Sequence, residues 1–322
     1  MPNACSGWAD DVQLAKPRRA AESAALSFAM TSRLPITKTP KCYVGGAFIR
    51  SESGKVQPLL DRAGAFVANI PQCSRKDLRN AVESAAKAGP GWAKRTAFNR
   101  GQILYRLAEM MEARAQELVS ALLLTRPQTA KTAKAAALEV RASIDRTVHY
   151  AGWTDKYEAL LGSVNPVASS HFNFTTVEPV GIIGILAPKE APLLGLLSLV
   201  LPAITTGNAI VALASPTEPY PALLWGEMLA TSDLPGGVVN LLTGTRKDLL
   251  PTFATHEHLR AISAAVDPEE RRELRAGAAA SIKRTYLRKE EHPIDWLDAR
   301  QQGLEEIRAL IELKTIWHPV GV

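Results

Sequence analysis

The sequence predicts an α/β protein in which helices cover both faces of a parallel sheet, and two observations support this fold class. Three continuous apolar runs of strand length, at residues 180–186, 208–215 and 237–244, are separated by segments with helical patterning. Buried parallel strands joined by crossover helices produce such runs, because both of their faces lie against helices. Ahead of them, residues 74–161 repeat apolar positions at three- and four-residue intervals, which is the period of amphipathic helices.

The N-terminal part of the chain carries weaker signals. Residues 1–36 are mixed in character, with one short Ala-rich helical patch and several prolines, and we interpret them as a tail or tether. Residues 41–51 contain a short β-rich stretch that is broken by Gly45 and Gly46. This pattern predicts a small hairpin.

Three or four helices follow in the block at 74–161. Ser74 is a candidate N-cap, and the apolar spacing after it predicts a helix that ends at Gly89 and Pro90. Residues 100–125 predict an amphipathic helix of about 24 residues. Residues 130–161 predict one or two more.

The second half of the chain mixes strands and helices. Residues 171–179 alternate apolar and polar side chains, as a strand with two unlike faces does. Residues 191–204 are too short to span a bilayer and contain internal proline and glycine, so they predict a buried helix. An Ala-rich helix is expected near 270–283, and a short helix and a β-branched strand before Pro319 end the pattern.

Composition excludes several classes of function. The chain has 322 residues, of which 46% are hydrophobic, and its net charge is +6 from 38 basic and 32 acidic residues. A chain of this size buries roughly 75% of its unfolded surface, so a core forms without disulfides. The basic residues are scattered rather than gathered on one face, which argues against nucleic-acid binding. We expect no membrane span.

The cysteines indicate a reducing compartment. Cys5, Cys42 and Cys73 show no metal-ligand spacing, so no metal site is predicted, and an odd count argues against a disulfide framework. The N-terminus lacks an apolar core after a basic start, which argues against a signal peptide. We therefore expect a cytoplasmic protein.

Four segments in a fixed order resemble the N-terminal part of the aldehyde dehydrogenase superfamily over roughly residues 37–290. They are AVESAAKAGPGWAKRTAFNRGQILYRLAEMMEARAQEL, EPVGIIGILAP, PAITTGNAIVALASPTEPYPA and LPGGVVNLLTG. The resemblance implies a Rossmann-like cofactor domain. It also implies hydride-transfer chemistry that depends on a cysteine nucleophile, an oxyanion-stabilising asparagine and a general-base glutamate.

The resemblance shows that these three catalytic groups are missing. Glu190, preceded by Lys189, stands at the family asparagine position, and a carboxylate there would repel the developing oxyanion. Arg288 stands at the family glutamate position and cannot act as a base. In this sequence no cysteine follows Cys73, whereas a nucleophilic thiolate must lie beside its substrate carbonyl. Cys42 and Cys73 are therefore expected to be small buried apolar residues.

The cofactor positions are degenerate by the same comparison. The resemblance assigns them to Leu186, Ala187, Pro188, Ser215, Glu218 and Gly244. Ser215 replaces a family lysine, which removes roughly 1.5–3 kcal/mol of interaction with the ribose. Glu218 is either a retained ribose contact or a solvated turn residue. Arg246 and Lys247 either meet a phosphate or form a solvated first helical turn. NAD binding is expected to be weak or absent.

The assembly elements are retained. Residues 309–319 resemble the strand with which family members pair across a subunit interface, and residues 163–178 resemble the hairpin arm that receives it. The interface residues implied are Phe172, Phe174, Leu313, Ile316 and Trp317. An edge strand of this composition invites pairing with another chain, although Ile316 and Trp317 would also serve to cap the chain's own core.

These observations predict a tail at 1–36, a cofactor-type domain at 37–290, and a C-terminal helix and oligomerisation strand at 291–322. The chain resembles the truncated second module of two-module family members, which lacks the catalytic domain. Three functions stay open at this point. The first is a silent scaffold or regulatory subunit that partners itself or an active aldehyde dehydrogenase. The others are an NAD(P)-dependent aldehyde oxidoreductase and an NAD-sensing module without turnover.

Overall fold

The computed structural model describes residues 38–289 and 294–321. The predicted tail at 1–36 lies outside the described residues. The elements in chain order are β1 (Cys42–Val44), β2 (Ala47–Ile49), β3 (Val56–Leu60), β4 (Phe66–Pro71), α1 (Arg75–Ala93), α2 (Ala97–Ala113), α3 (Ala115–Leu123), α4 (Ala130–Trp153), α5 (Tyr157–Leu161), β5 (Ser163–Asn165), β6 (His171–Pro179), β7 (Ile182–Leu186), α6 (Leu194–Thr205), β8 (Ala209–Leu213), α7 (Tyr220–Leu229), β9 (Val239–Leu242), α8 (Arg246–Thr255), β10 (Ala261–Val266), α9 (Pro268–Ala279), β11 (Arg284–Lys289), α10 (Leu304–Arg308) and β12 (Ile311–Pro319).

The central sheet has seven strands in the order β11-β10-β7-β8-β9-β1-β2. The five strands from β11 to β9 are parallel, which confirms the predicted fold class. The predicted hairpin is β1–β2, and Gly45 and Gly46 turn it with φ values of 62° and 85°. It joins the sheet through a single antiparallel pair, Tyr43 with Leu241.

Two strands of this sheet, β10 and β11, are not predicted by the sequence pattern. The run AISAAV in β10 has little of the β-branched and aromatic character that marks strands, and RTYLRK in β11 is half basic. Pairing decides their structure instead, because β10 lies between β7 and β11 and is buried at all six positions.

Two predicted helix boundaries were wrong. The first helix does not end at Gly89–Pro90 but continues to Ala93. Trp92 explains the extension, since it is fully buried and its indole N–H donates to the Ile204 carbonyl at 2.9 Å. That tertiary anchor offsets the hydrogen bond that Pro90 cannot make.

The predicted helix of about 24 residues is two helices, α2 and α3, which are separated at Arg114. The backbone of Arg114 leaves the helical region at φ −118° and ψ 21°. Its guanidinium contacts Glu117 and, from α7, Glu227. The apolar period continues across the break, so periodicity alone does not reveal it.

Helices cover both faces of the sheet. One apolar cluster combines α2, α4, α6 and α7, and the other combines α1, α8 and α9. The predicted buried helix is α6, in which every residue is buried. Within residues 38–289 and 294–321, no helix combines the length and hydropathy that a bilayer-spanning helix needs.

A separate three-stranded antiparallel sheet, which we call the outer sheet, has the order β12-β6-β5. β12 pairs with β6 along nine positions, from Ile311 with Pro179 to Pro319 with His171. α10 precedes β12 and packs against α6, so the outer sheet is connected to the central core through this short helix.

Candidate functional site

The strand order changes direction at β7, and this places the topological switch point of the sheet at the carboxyl ends of β7 and β10. From β7 the chain passes to β8 and β9 on one side and then returns to β10 on the other. Open parallel sheets bind ligands at such a switch point. We call this region the switch-point crevice. The predicted cofactor residues from Leu186 to Pro188 lie at its β7 side and are buried.

The turn after β7 is held by its backbone and presents its charged centre to solvent. Lys189 and Glu190 are exposed, and Ala191 adopts a positive φ of 48°. The Lys189 carbonyl accepts from the hydroxyls of Ser215, at 3.3 Å, and Thr217, at 2.6 Å. The predicted cofactor residue Ser215 thus fixes the turn, and the Glu190 carboxylate is a surface group.

The N-terminus of α9 lies at the β10 side of the crevice and is already occupied by carboxylates. Asp267 caps the helix by accepting from the backbone N–H groups of Glu269 and Glu270. It also pairs with Lys189, with 3.3 Å between Nζ and Oδ2. Burial acts to raise the pKa of Asp267, but these hydrogen bonds and the lysine charge hold it below its ordinary value.

Arg246 fills the base of the crevice. Its guanidinium pairs with Glu270 at 2.6 Å, donates to the Ala187 carbonyl at the end of β7, and donates to the Ala265 carbonyl at 3.3 Å. The side chain is only 6% exposed. The solvated first turn that the sequence left open for Arg246 is therefore wrong, because the buried side chain joins β7 to β10.

Glu218 is partly buried and is paired with an arginine. Arg126, from the α3–α4 connection, binds it through two nitrogens, the shorter contact being 2.7 Å. Arg126 also reaches Glu139 at 3.2 Å. The opposite oxygen of Glu139 accepts from the Leu193 N–H at 3.0 Å, at the start of α6. Burial raises the pKa of Glu139, against the opposing charge of Arg126. Sequence reasoning missed Arg126, since 92 residues separate it from Glu218.

Arg288 is a structural cation on β11. It pairs with Glu306 of α10, and the two side chains are 10% and 8% exposed. The Tyr286 hydroxyl donates to the other oxygen of Glu306 at 3.1 Å, and the Arg288 guanidinium lies 4.6 Å from the Tyr286 ring centroid. Burial lowers the pKa of the guanidinium. This position therefore anchors the C-terminal segment and offers no base.

Trp296 closes the space between the turn after β7 and Arg288. It is 3% exposed, and Arg288 lies 5.8 Å from its ring centroid. A Cβ added at Gly195 would lie 2.3 Å from Pro188 and 3.3 Å from the Trp296 ring, so both side chains pack on this glycine. The buried Arg146 holds the segment by donating to the Trp296 carbonyl at 2.9 Å. No sequence signal marked Trp296 or Arg146 as site residues.

The two described cysteines lie on the other side of the sheet from this tryptophan. Cys42 and Cys73 are both free and buried, and they belong to the cluster formed by α1, α8 and α9. Gly244 lies beside them, where a Cβ would come within 3.3 Å of the Cys73 carbonyl. Glu190, in contrast, is a surface residue. The described residues contain no cluster of three or more histidine, cysteine or acidic side chains suited to a metal.

Sequence comparison assigns the family. A family model described as the aldehyde dehydrogenase family matches residues 48–289. The chain belongs to the aldehyde dehydrogenase family. Mitochondrial aldehyde dehydrogenase of Rattus norvegicus is 29% identical over 277 residues, which are 81% of this chain and 52% of the relative. Omega-crystallin of Enteroctopus dofleini is 29% identical over 261 residues, 80% of this chain and 51% of that protein. The resemblance identified from the sequence is confirmed.

Solved structures of family members share this fold. The NAD+ complex of an aldehyde dehydrogenase from Bacillus cereus matches with a TM-score of 0.74 at 23% identity, and covers 85% of this chain and 53% of that chain. The chain spans about half the length of the curated relatives it matches.

The residues at the crevice do not fit a dinucleotide. A pyrophosphate needs unpaired donors at a helix N-terminus, but the first donors of α9 are used by Asp267. Glu218, the candidate for the ribose hydroxyls, is bound by Arg126. The carboxylates of Asp267 and Glu270, each paired with a cation, also lie at this helix N-terminus.

Proposed function

We propose that this chain is a catalytically silent member of the aldehyde dehydrogenase family and acts as a scaffold or regulatory subunit in an oligomer, with itself or with an active aldehyde dehydrogenase. One observation carries the proposal. Trp296 and the Arg288–Glu306 pair fill the space beside the turn after β7 with packed side chains. An aldehyde and a nicotinamide ring need room and polar groups at that place.

The outer sheet supports the assembly part of the proposal. Strand alternation places Phe172, Phe174 and Ile316 on one of its faces. Leu313 and Trp317 lie on the other face, with exposed fractions of 55% and 57%. Apolar side chains exposed on both faces of a small sheet mark a protein–protein interaction site, and both edge strands carry unpaired backbone groups. The predicted interface residues thus divide into two faces, which a partner would cover separately.

An enzymatic assay tests catalytic silence. The purified chain is incubated with NAD or NADP and short aldehydes, and reduced cofactor is followed at its absorbance maximum. We expect no time-dependent formation beyond a blank without protein. Turnover would favour the oxidoreductase hypothesis. Saturable micromolar NAD binding in calorimetry, without turnover, would favour the sensing hypothesis instead.

Light scattering coupled to size-exclusion chromatography tests assembly. We expect Phe172→Asp to weaken self-association, or association with a co-purified aldehyde dehydrogenase, by at least about tenfold, because it buries a charge at an apolar contact. Phe98→Asp is the matched control, since Phe98 is also an exposed phenylalanine, at 68%, but lies on α2. A wild-type chain that is monomeric at every concentration and captures no aldehyde dehydrogenase would refute the scaffold proposal.

A further inference from the structure

The contact between the two buried cysteines is a feature that the proposed function does not use. Cys42 lies in β1 and Cys73 lies just before α1, and their sulfurs are 3.4 Å apart. That distance is a direct contact between two thiols, whereas a disulfide bond measures about 2.05 Å. Small side-chain rotations would therefore bring the sulfurs within bonding range.

Thr243, which directly follows β9, contacts both cysteines. The Cys42 sulfur lies 3.3 Å from the Thr243 hydroxyl, and the Cys73 N–H donates to the Thr243 carbonyl at 2.9 Å. The Thr243 hydroxyl in turn donates to the Pro71 carbonyl at 2.5 Å. Thr243 thus contacts the side chain of Cys42 and the backbone of Cys73, and it lies beside the contact between the two sulfurs.

Both cysteines are buried, with Cys73 3% exposed, but only Cys73 borders a cleft. Cys73 lines a cleft of about 240 Å³ whose rim carries the charged side chains of Lys55, Arg75 and Asp248. Cys42 does not line this cleft and is fully buried. A small reagent that enters the cleft meets Cys73 first, and the two cations on the rim favour a reagent with carboxylate groups.

We propose that Cys42 and Cys73 are a thiol modification site that a low-molecular-weight disulfide, such as glutathione disulfide, converts to an intramolecular disulfide. In the first step the Cys73 thiolate attacks one sulfur of the reagent and releases one glutathione thiolate. In the second step the Cys42 thiolate attacks the Cys73 sulfur and releases the other. The two cysteines lose two protons and two electrons, and one glutathione disulfide is reduced to two glutathione molecules.

The two thiols differ in pKa, and the difference makes the first of these steps the slower one. The hydrogen bond to Cys73 lowers the pKa of Cys42, which favours its thiolate as the resolving group. The hydrogen bond to Cys42 and burial raise the pKa of Cys73, so the first step is slow and determines the rate. The product would link β1 to the start of α1 and close a 31-residue separation in the chain. This inference does not depend on the proposed function.

The test uses the full chain with Cys5 replaced by serine, so that only the pair reacts. The folded protein is incubated with millimolar glutathione disulfide, free thiols are alkylated, and digested peptides are analysed by mass spectrometry. We expect a linked peptide pair that contains Cys42 and Cys73, a mass loss of two hydrogen atoms, an unchanged circular dichroism spectrum, and a higher melting temperature.

Two further variants separate the steps. With Cys42→Ser added, Cys73 should retain one glutathione adduct, because the resolving thiol is gone. With Cys73→Ser added, Cys42 should stay unmodified over the same period, since it has no access to the cleft. The proposal is overturned if both thiols stay free in the folded wild-type chain and react only after unfolding. It is also overturned if Cys42 acquires the adduct in the Cys73→Ser variant.

Discussion

Replacing Arg288 by methionine removes the cation that pairs with Glu306 while keeping most of the volume of the side chain. The two groups are 10% and 8% exposed, so the remaining carboxylate would stay buried. Among the described residues, the Tyr286 hydroxyl, at 3.1 Å, would still donate to it. One hydrogen bond does not offset the cost of a desolvated charge.

The expected loss follows from these contacts. Breaking one side of a buried ion pair costs about 3–5 kcal/mol in the free energy of unfolding. Part of the loss is the contact of Arg288 with the Tyr286 ring, about 0.5–2 kcal/mol. Removing both partners, as in Arg288→Met with Glu306→Leu, eliminates the unpaired charge as well. We therefore expect the double variant to lie within about 1 kcal/mol of the wild type, or above it.

Urea denaturation followed by circular dichroism measures these differences at constant pH. Arg272→Met is the matched control, because Arg272 is an exposed arginine on α9 and its replacement should change stability by less than about 0.5 kcal/mol. The reasoning is refuted if Arg288→Met costs no more than the Arg272 control. It is equally refuted if the double variant loses as much as the two single variants added together, since the cycle would then show no coupling.

Two further predictions concern anchors elsewhere in the fold. The Lys283 ammonium donates to the carbonyls of Ala254, in the last turn of α8, and His256, just after it, and burial lowers its pKa to about 8. The lysine of the unfolded chain titrates at about 10.4. Between about pH 8 and that value, the unfolded chain keeps the lysine proton that the folded chain has lost. The free energy of unfolding of the wild type, relative to that of Lys283→Met, should therefore rise with pH in this range. Urea denaturation at several pH values in this range measures the difference in the free energy of unfolding, and a difference that stays constant or falls with pH would contradict the prediction. Trp92→Phe removes the hydrogen bond to Ile204 and part of a buried ring, and should lower the free energy of unfolding by about 1–3 kcal/mol; an unchanged denaturation midpoint would show that Trp92 does not hold the last turn of α1.

The sequence was most informative where burial is uniform. The strands β7, β8 and β9 and the helix α6 are continuous apolar runs, and each forms the element predicted for it. Prediction failed where a tertiary contact overrides local preference. β10 is alanine-rich yet extended because strands flank it on both sides, and α1 passes Pro90 because Trp92 is buried beyond it.

The candidate site was also predictable only in part. Family spacing placed Glu190 and Arg288 at two catalytic positions, and side-chain chemistry alone argued against both roles. The ion-pair partners of Arg288 and Glu218 were not predictable from the sequence. Glu306, the partner of Arg288, lies on a different element, and Arg126 is distant in sequence from Glu218. The contact between Cys42 and Cys73 likewise has no signature in their spacing.

The pairing of β11 with α10 constrains which side chains position 288 accepts. A glutamate there would set two carboxylates against each other beneath an indole, in a region with little water to screen them. Such a chain would fold less well than the present one. Foldability alone therefore favours the arginine at this position, independently of any role in an assembly.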